Sequence, residues 1–498
     1  MVGRGRAAIA GVVAAAVALG AGELIAIITG AQSGPVVAVG GWIVDHVPEG
    51  GKELAIRLFG TYDKIALQIG TVIILAGFAA LIGILAARRF ALGIAGIGLF
   101  GVVGAAAALT RPHADPAWVL PSLIGAGLAV VALKRLLLLA ETTDAAQAAG
   151  QPDGRRRFLR IAGWTGVAAV VVGGAGRMFT QRRGVAEARD QVTLPAPTNS
   201  PLPLPDNTLP GYVTSNDDFY RIDTALIVPQ VDPKTWKLRI HGMVEQEITI
   251  TYDELLAMPM IERYITIACV SNEVGGDLIG NARWLGVPVK DLLERAKPLP
   301  GADQVVSRSV DGWTCGSPTA TLMDGRDALL AVGMNGEPLP IDHGFPVRVI
   351  VPGLYGYVSA CKWIAEWEVT TFNAFDAYWV PRGWSAQGPI KTESRIDTPR
   401  GSKSAGEVVI AGVAWAQHRG IDKVEVQVDE GPWQVAELLG AVSEDTWRQW
   451  RLKWQATPGE HRLTVRATDR DGVTQTQDEA PPAPDGATGW HSVRVSIK

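Results

Sequence analysis

The sequence predicts a chain of three parts: an N-terminal all-α transmembrane bundle of five helices, a central α+β domain, and a C-terminal all-β sandwich. Three observations point there. The first 180 residues are dominated by Ala, Val, Ile, Leu and Gly, whereas the remainder has a soluble composition with many Trp. Five apolar runs, at 7–29, 65–87, 90–110, 117–139 and 158–179, each approach the roughly 20 residues that a membrane span needs. Beyond residue 386, short alternating segments at 407–415, 424–428, 450–454 and 463–467 recur between turns. The parts read as 1–180 for the helices, 181–215 for a Pro-rich linker, 216–372 for the central domain, 373–385 for a second linker and 386–498 for the sandwich.

Composition narrows the function classes. The formal net charge of −4 offers no case for a nucleic-acid partner. The chain has three cysteines, Cys269, Cys315 and Cys361, and neither CxxC nor CxxCH. That argues against an iron–sulfur cluster, a zinc ribbon and c-type haem. An odd count leaves at least one thiol free or bound to something else.

Basic residues orient the helices. Arg4 and Arg6 precede the first span, and Arg88 and Arg89 separate the second from the third. Lys134, Arg135, Arg155, Arg156, Arg157 and Arg160 lie at or between the fourth and fifth. The alternate loops carry Lys52, Arg57, Lys64 and Arg111 mixed with acids. With the basic clusters inside, an odd number of spans puts everything after residue 180 outside the cytoplasm, at a multi-pass plasma-membrane protein. Residues 35–60 read as a re-entrant or interfacial piece, with Lys52, Glu53 and Arg57 on its wet face. Glu23 is the main ionisable residue within a span. His46 and His113 form no facing pair, so no b-haem is expected. The helices read as an anchor or docking surface.

The fifth span begins Gly154-Arg-Arg-Arg157-Phe-Leu-Arg160, which resembles a twin-arginine targeting motif with Arg160 in the lysine place. Such signals export proteins already folded around a cofactor. The alternative is a plain positive-inside anchor.

In the distal half, the prolines of 199–206 exclude a regular helix, and folded sequence is expected from near Asn216. Alternation predicts strands at 236–240 and 248–251, and Thr251-Tyr-Asp-Glu254 is a capping box opening a short helix. Residues 264–268 read as a buried strand with Cys269 at its end, followed by the turn-forming Val270-Ser-Asn-Glu-Val-Gly-Gly276. From spacing alone Cys269 is either a thiolate facing a ligand or a small buried hydrophobe.

Four segments carry a family resemblance. They are Phe219-Tyr-Arg221-Ile-Asp223; Cys269-Val-Ser-Asn272 with Asn281-Ala-Arg283-Trp284; Met334-Asn-Gly-Glu-Pro-Leu-Pro-Ile-Asp-His343-Gly-Phe-Pro-Val-Arg348; and Tyr355-Gly-Tyr-Val-Ser359-Ala-Cys-Lys362-Trp363. Over 216–498 the chain resembles the sulfite oxidase family of molybdopterin-dependent oxidoreductases, in a membrane-anchored bacterial form. The resemblance implies a sulfite-oxidase-type domain holding molybdopterin with one molybdenum. It makes Cys269 the metal ligand and gives cofactor contacts to Phe219, Arg221, Asn272, Arg283, His343, Arg348, Ser359 and Lys362. His343, Arg348 and Lys362 would hold the cofactor's phosphate. Cys269, Arg221, Asp223 and Glu273 form the catalytic set. Cys315, read as lying in a Gly-rich loop, and Cys361 are taken as non-ligands, with a disulfide between them left open.

Residues 429–438 and Gly489-Trp-His491 resemble the family's immunoglobulin-like dimerisation domain, which leaves a homodimer open. The departures bear on substrate. Glu273 and Val274 stand where sulfite oxidases keep arginines, Asp223 replaces a histidine, and no arginine precedes Trp490 in 480–489. A carboxylate beside the metal repels a dianion. The expected activity is therefore two-electron oxygen-atom transfer on a small S- or N-oxide, with electrons exchanged with a separate cytochrome or quinone-linked membrane partner. The competing readings are a sulfite oxidase proper and a non-catalytic cell-surface binding module.

The export reading has a direct test. Arg155→Lys with Arg156→Lys conserves charge, so a simple anchor is unaffected. A twin-arginine signal instead strands residues beyond 180 inside. Protease accessibility in spheroplasts is expected to be lost; unchanged exposure identifies an anchor.

Overall fold

The computed structural model describes residues 2–46, 63–111, 114–148, 154–182, 185–199, 203–225 and 227–498. Lys52, Glu53, Arg57 and His113 lie outside them. The chain divides into two compact units, Met1–Ala186 with Ala225–Gln230, and Glu187–Thr224 with Val231–Lys498.

In the first unit, five helices are long and apolar enough to cross a membrane: Arg4–Thr29, Ile69–Arg88, Phe90–Leu109, Pro116–Asp144 and Arg156–Gly176. These agree with the apolar runs. A sixth helix, Pro35–His46, opens the segment read as re-entrant or interfacial. Arg4–Thr29 is the centre of the bundle, and small residues make that possible. A Cβ on Gly11 would lie 2.0 Å from Ala79 O, one on Gly20 2.4 Å from Ala169 O, and one on Gly125 2.6 Å from Ala18 O. Backbones this close give dense packing without a hydrophobic driving force, as lipid requires. Ile28, Ile73, Val102, Trp164 and Val170 point outward and exposed.

The second unit opens on a strap. The sequence suggests a linker until residue 215, but the chain is packed well before Asn216. After the short helix Val185–Asp190, Arg189 donates to Leu339 O at 2.9 Å and Pro338 O at 2.7 Å. Glu262 N donates to Asn199 Oδ1 at 2.8 Å, and Leu209 N to Gln449 Oε1 at 2.7 Å. Tyr212 is buried and donates to Thr446 Oγ1. Proline prevents a regular ladder here, so side-chain amides satisfy the strap's backbone groups instead.

Two five-stranded sheets form the central domain. One has the order β2-β1-β10-β5-β6, with β1 Lys237–Gly242, β2 Ile248–Thr251, β5 Gln304–Ser309, β6 Thr314–Pro318 and β10 Ile364–Thr370. The other is β3-β4-β7-β8 with β9 on β7, from β3 Ile261–Ala268, β4 Ile279–Pro288, β7 Leu329–Met334, β8 Glu337–Pro338 and β9 Arg348–Ile350. The capping box at Thr251 and Glu254 forms as expected and opens the helix Tyr252–Leu256. Every residue of β7 is buried, which is why it reads as a continuous apolar run. The expected linker 373–385 is also packed, through Trp379 and Trp384.

Residues 393–498 form two further sheets. Their orders are β11-β13-β17-β16 and β12-β19-β18-β14-β15, where β12 is Ser402–Lys403, β14 Ile421–Val428, β15 Gln434–Val435 and β16 Glu437–Leu438. The strands that matter below are β11 Glu393–Thr398, β13 Gly406–Trp415, β17 Arg448–Ala456, β18 Gly459–Asp469 and β19 His491–Ile497. Inward residues of both sheets, Ile410, Trp450, Val424, Val465 and Val495 among them, share one core.

Candidate functional site

The antiparallel pair β3–β4 closes at Ala268 opposite Ile279, leaving 269–278 as its connecting turn. Cys269 N donates to Leu278 O at 2.9 Å, and Asn272 N to Cys269 O at 3.1 Å. Asn272 Oδ1 accepts from Leu278 N at 2.9 Å, bracing the turn from inside. Gly275 has φ +78°, and a Cβ there would sit 2.2 Å from the His491 ring, so only glycine fits. The turn holds the Cys269 thiol buried; desolvation pushes its pKa up, with hydrogen bonds from Ser271 pulling the other way.

A second group of side chains converges from four segments. An isolated bridge pairs Arg348 with Lys362, so the two cations leave from adjacent backbone. Gly344, at φ +111°, turns over them; a Cβ there would lie 3.1 Å from the Cβ atoms of both. His343 ends the 3-10 turn before it, and its Nε2 lies 3.1 Å from Asn216 O. Phe219 packs edge-on against His343 and Trp284, with centroids 5.6 and 5.7 Å away. The Arg348 guanidinium lies over the Trp284 ring at 5.1 Å.

This group carries an excess of buried positive charge. Arg348 Nη1 donates to His343 O at 3.1 Å, but Nε has no partner among the described residues. Burial pulls Arg348 down to about 10. Lys362 Nζ donates to Asp223 Oδ2 at 2.8 Å, and burial still pulls it down to about 8. His343 falls to about 4, first through burial and then through Arg348 and Lys362. An orphaned guanidinium nitrogen among buried, depressed cations suits an anion. A phosphate monoester, with its charge of about −2, suits that donor set.

Several expectations need correction. Asp223 does not stand as a free carboxylate by the thiol: it is ion-paired with Lys362 and, at 2.9 Å, with Arg221. Arg221 also reaches Asp342 at 3.3 Å, so its guanidinium is engaged. Arg283 pairs with Glu262 at 3.2 Å, and Ser359 Oγ donates to Tyr355 O at 2.9 Å, a backbone-bracing contact. Glu273 is exposed on the turn. Cys315 lies on β6, not in a Gly-rich loop; its thiol neighbours that of Cys361, and both are buried and unbridged.

Sequence reasoning missed Tyr220, whose hydroxyl lies within electrostatic reach of the Cys269 thiol and Arg348. It also missed Arg395, whose Nη1 donates to Gly276 O at 2.7 Å. No local motif marks that residue.

The His343 environment gives a pH test. Its folded pKa, about 4, lies below the ordinary 6.5. The unfolded chain therefore binds more protons between those values, and stability rises with pH across that window. The cofactor-free chain is expected to gain about 1–3 kcal/mol from pH 4 to 6.5. His343→Gln should abolish that part of the slope in thermal unfolding of the detergent-solubilised protein. Superimposable slopes would contradict the buried-cation picture.

Comparison with known proteins agrees with this geometry. The family described as "Oxidoreductase molybdopterin binding domain" matches residues 225–379. The chain is 30% identical over 350 residues to human mitochondrial sulfite oxidase, covering 59% of this chain and 64% of that protein. It therefore spans less than two thirds of that relative's length. It is 32% identical over 162 residues to the uncharacterized oxidoreductase YuiH of Bacillus subtilis, covering 32% of this chain and 78% of YuiH. Among solved structures, the sulfane dehydrogenase SoxCD from Paracoccus pantotrophus shares the fold, with a TM-score of 0.51 at 24% identity over 58% of this chain and 82% of that one. With the thiol turn and the buried cation cluster in place, these matches make the chain a molybdenum-cofactor oxidoreductase of the sulfite oxidase family.

Proposed function

We propose that this protein is a membrane-anchored oxidoreductase, with its molybdopterin half outside the cytoplasm, that transfers an oxygen atom to or from a small S- or N-oxide or related substrate. The observation that carries the reading is the pairing of one buried strand-end thiol, Cys269, with an anion-deficient pocket built from His343, Arg348 and Lys362. Molybdenum held by a pyranopterin dithiolene supplies two-electron chemistry between its VI and IV states. Cys269 adds a soft thiolate ligand. His343, Arg348 and Lys362 hold the phosphate end, and Phe219 and Trp284 wall the group between them. Asp223 and Arg221 balance Lys362 and Asp342. Electrons pass to a separate cytochrome or quinone-linked partner in the membrane. The C-terminal two-sheet unit is of immunoglobulin-like type and offers a surface for a homodimer.

The substrate argument rests on Glu273 and Val274, because Asp223 is neutralised by its partners. Glu273 is exposed, so water screens it, and its effect on a dianion is about tenfold in affinity. The alternative is sulfite oxidation; Arg395 brings a guanidinium to the same turn at Gly276, where it is paired with Asp397.

Two experiments test this. Purified protein should carry about one molybdenum per chain, and Cys269→Ser should fold yet lose turnover. Full activity of the serine variant removes Cys269 from the site. Sulfite and a neutral sulfoxide should then be assayed on wild type and on Glu273→Arg with Val274→Arg. The wild type is expected to prefer the sulfoxide, and the double variant to gain sulfite turnover by about tenfold or more. Efficient sulfite oxidation by the wild type, with no gain in the variant, points to the alternative.

A further inference from the structure

The segment 219–223 is fixed at both ends against the cation pocket. At its start the Phe219 ring sits where Gly280 leaves room; a Cβ on Gly280 would lie 2.6 Å from Phe219 Cε2. At its end the buried Asp223 carboxylate meets two cations, Lys362 Nζ at 2.8 Å and Arg221 Nε at 2.9 Å. Arg221 also reaches Asp342 at 3.3 Å. The result is a chain of alternating charge. It runs from the buried Lys362 through Asp223 to Arg221 and Asp342, whose side chains are 36% and 54% exposed. The chain closes on itself, because Lys362 Nζ also donates to Asp342 O at 3.2 Å.

The two buried cations of the pocket are therefore not equivalent. Arg348 has no carboxylate partner among the described residues: Nη1 donates to His343 O, and Nε to nothing. Lys362 already holds one carboxylate and one carbonyl, which leaves little of its ammonium for a ligand. An incoming anion must share Lys362 with Asp223 or displace it. Two anions on one ammonium repel strongly where burial keeps water from screening them. A phosphate carried on a larger body offsets that repulsion with contacts made elsewhere along the body. Free phosphate has no such contacts to add.

We propose that Asp223 sets the selectivity of the anion pocket: by holding Lys362 it weakens the binding of free phosphate and similar small anions, and favours a phosphate ester carried on a larger body. Arg221 and Asp342 tie this carboxylate to the exposed end of the chain, so Asp223 stays on Lys362 when no ester is bound. The proposal rests on the reading of His343, Arg348 and Lys362 as the holders of the cofactor's phosphate.

The test uses the full chain in detergent, prepared without cofactor. Inorganic phosphate is the probe, and titration calorimetry at neutral pH reads its affinity. Asp223→Asn and Asp223→Ser remove the charge, Asp223→Glu keeps it, and thermal midpoints show which variants fold. Both uncharged variants should bind phosphate about tenfold or more tighter than wild type, and Asp223→Glu should show no such gain. Placed in a Lys362→Met background, Asp223→Asn should gain less than about twofold, because the effect runs through the shared ammonium. Equal or weaker phosphate binding by a folded Asp223→Asn or Asp223→Ser chain would overturn the proposal. So would an undiminished gain in the Lys362→Met background, which makes Asp223 a general repulsive charge. The reading of the pocket is judged separately, by molybdenum content in protein made with cofactor available. Arg348→Met should lower that content about tenfold, and an unchanged content overturns the pocket rather than the role of Asp223.

Discussion

The site is organised by a charge imbalance that burial makes expensive. Arg348 and Lys362 are bridged on adjacent backbone, the His343 carbonyl accepts from Arg348, and the buried carboxylate of Asp223 pairs with Lys362 and Arg221. Burial lowers all three, Arg348 further lowers Lys362 and His343, and Arg348 Nε is left without a partner among the described residues. The arrangement persists because β7 and β9 fix the backbone from which Arg348 departs, and because Gly344 leaves no volume for an intervening side chain. On the proposed reading a phosphate-bearing group would resolve the imbalance, and cofactor binding would then stabilise this region through the same electrostatics.

The thiol is placed by a different device. The connecting turn of β3–β4 is braced internally by one side-chain amide, Asn272. Its outer side is held by the C-terminal unit through Arg395 and His491. Domain boundaries drawn on composition therefore understate how much of the site the last hundred residues supply. The strap from 187 to 224 works similarly: Asn199 and Tyr212 tie it to β3 and to the C-terminal sheets.

What was legible in the sequence follows from the range of each signal. Five apolar helices, the capping box at Thr251, strands β1 to β3 and the long alternating strands of the C-terminal unit are written in local periodicity, and they form where expected. His343, Arg348 and Lys362 were legible through motif, and the structure brings them together. The partners of Asp223 were not legible, because Lys362 is 139 residues away and the salt bridge leaves no local mark. The same holds for Arg395 and the amide contacts of the strap. Each depends on two distant segments meeting, which periodicity does not encode. Proline at 201–205 signalled an absence of helix and was read as a linker, although side-chain amides can pack such a segment firmly.

The central claim is that Cys269 and the buried cation pocket together hold one molybdenum through a dithiolene and a protein thiolate. X-ray absorption at the molybdenum edge of the purified chain tests it most directly, since it counts sulfur neighbours without reference to substrate. Three sulfurs in the wild type and two in Cys269→Ser are expected, the thiolate adding about one to the dithiolene pair. An unchanged sulfur count in the serine variant would contradict the account.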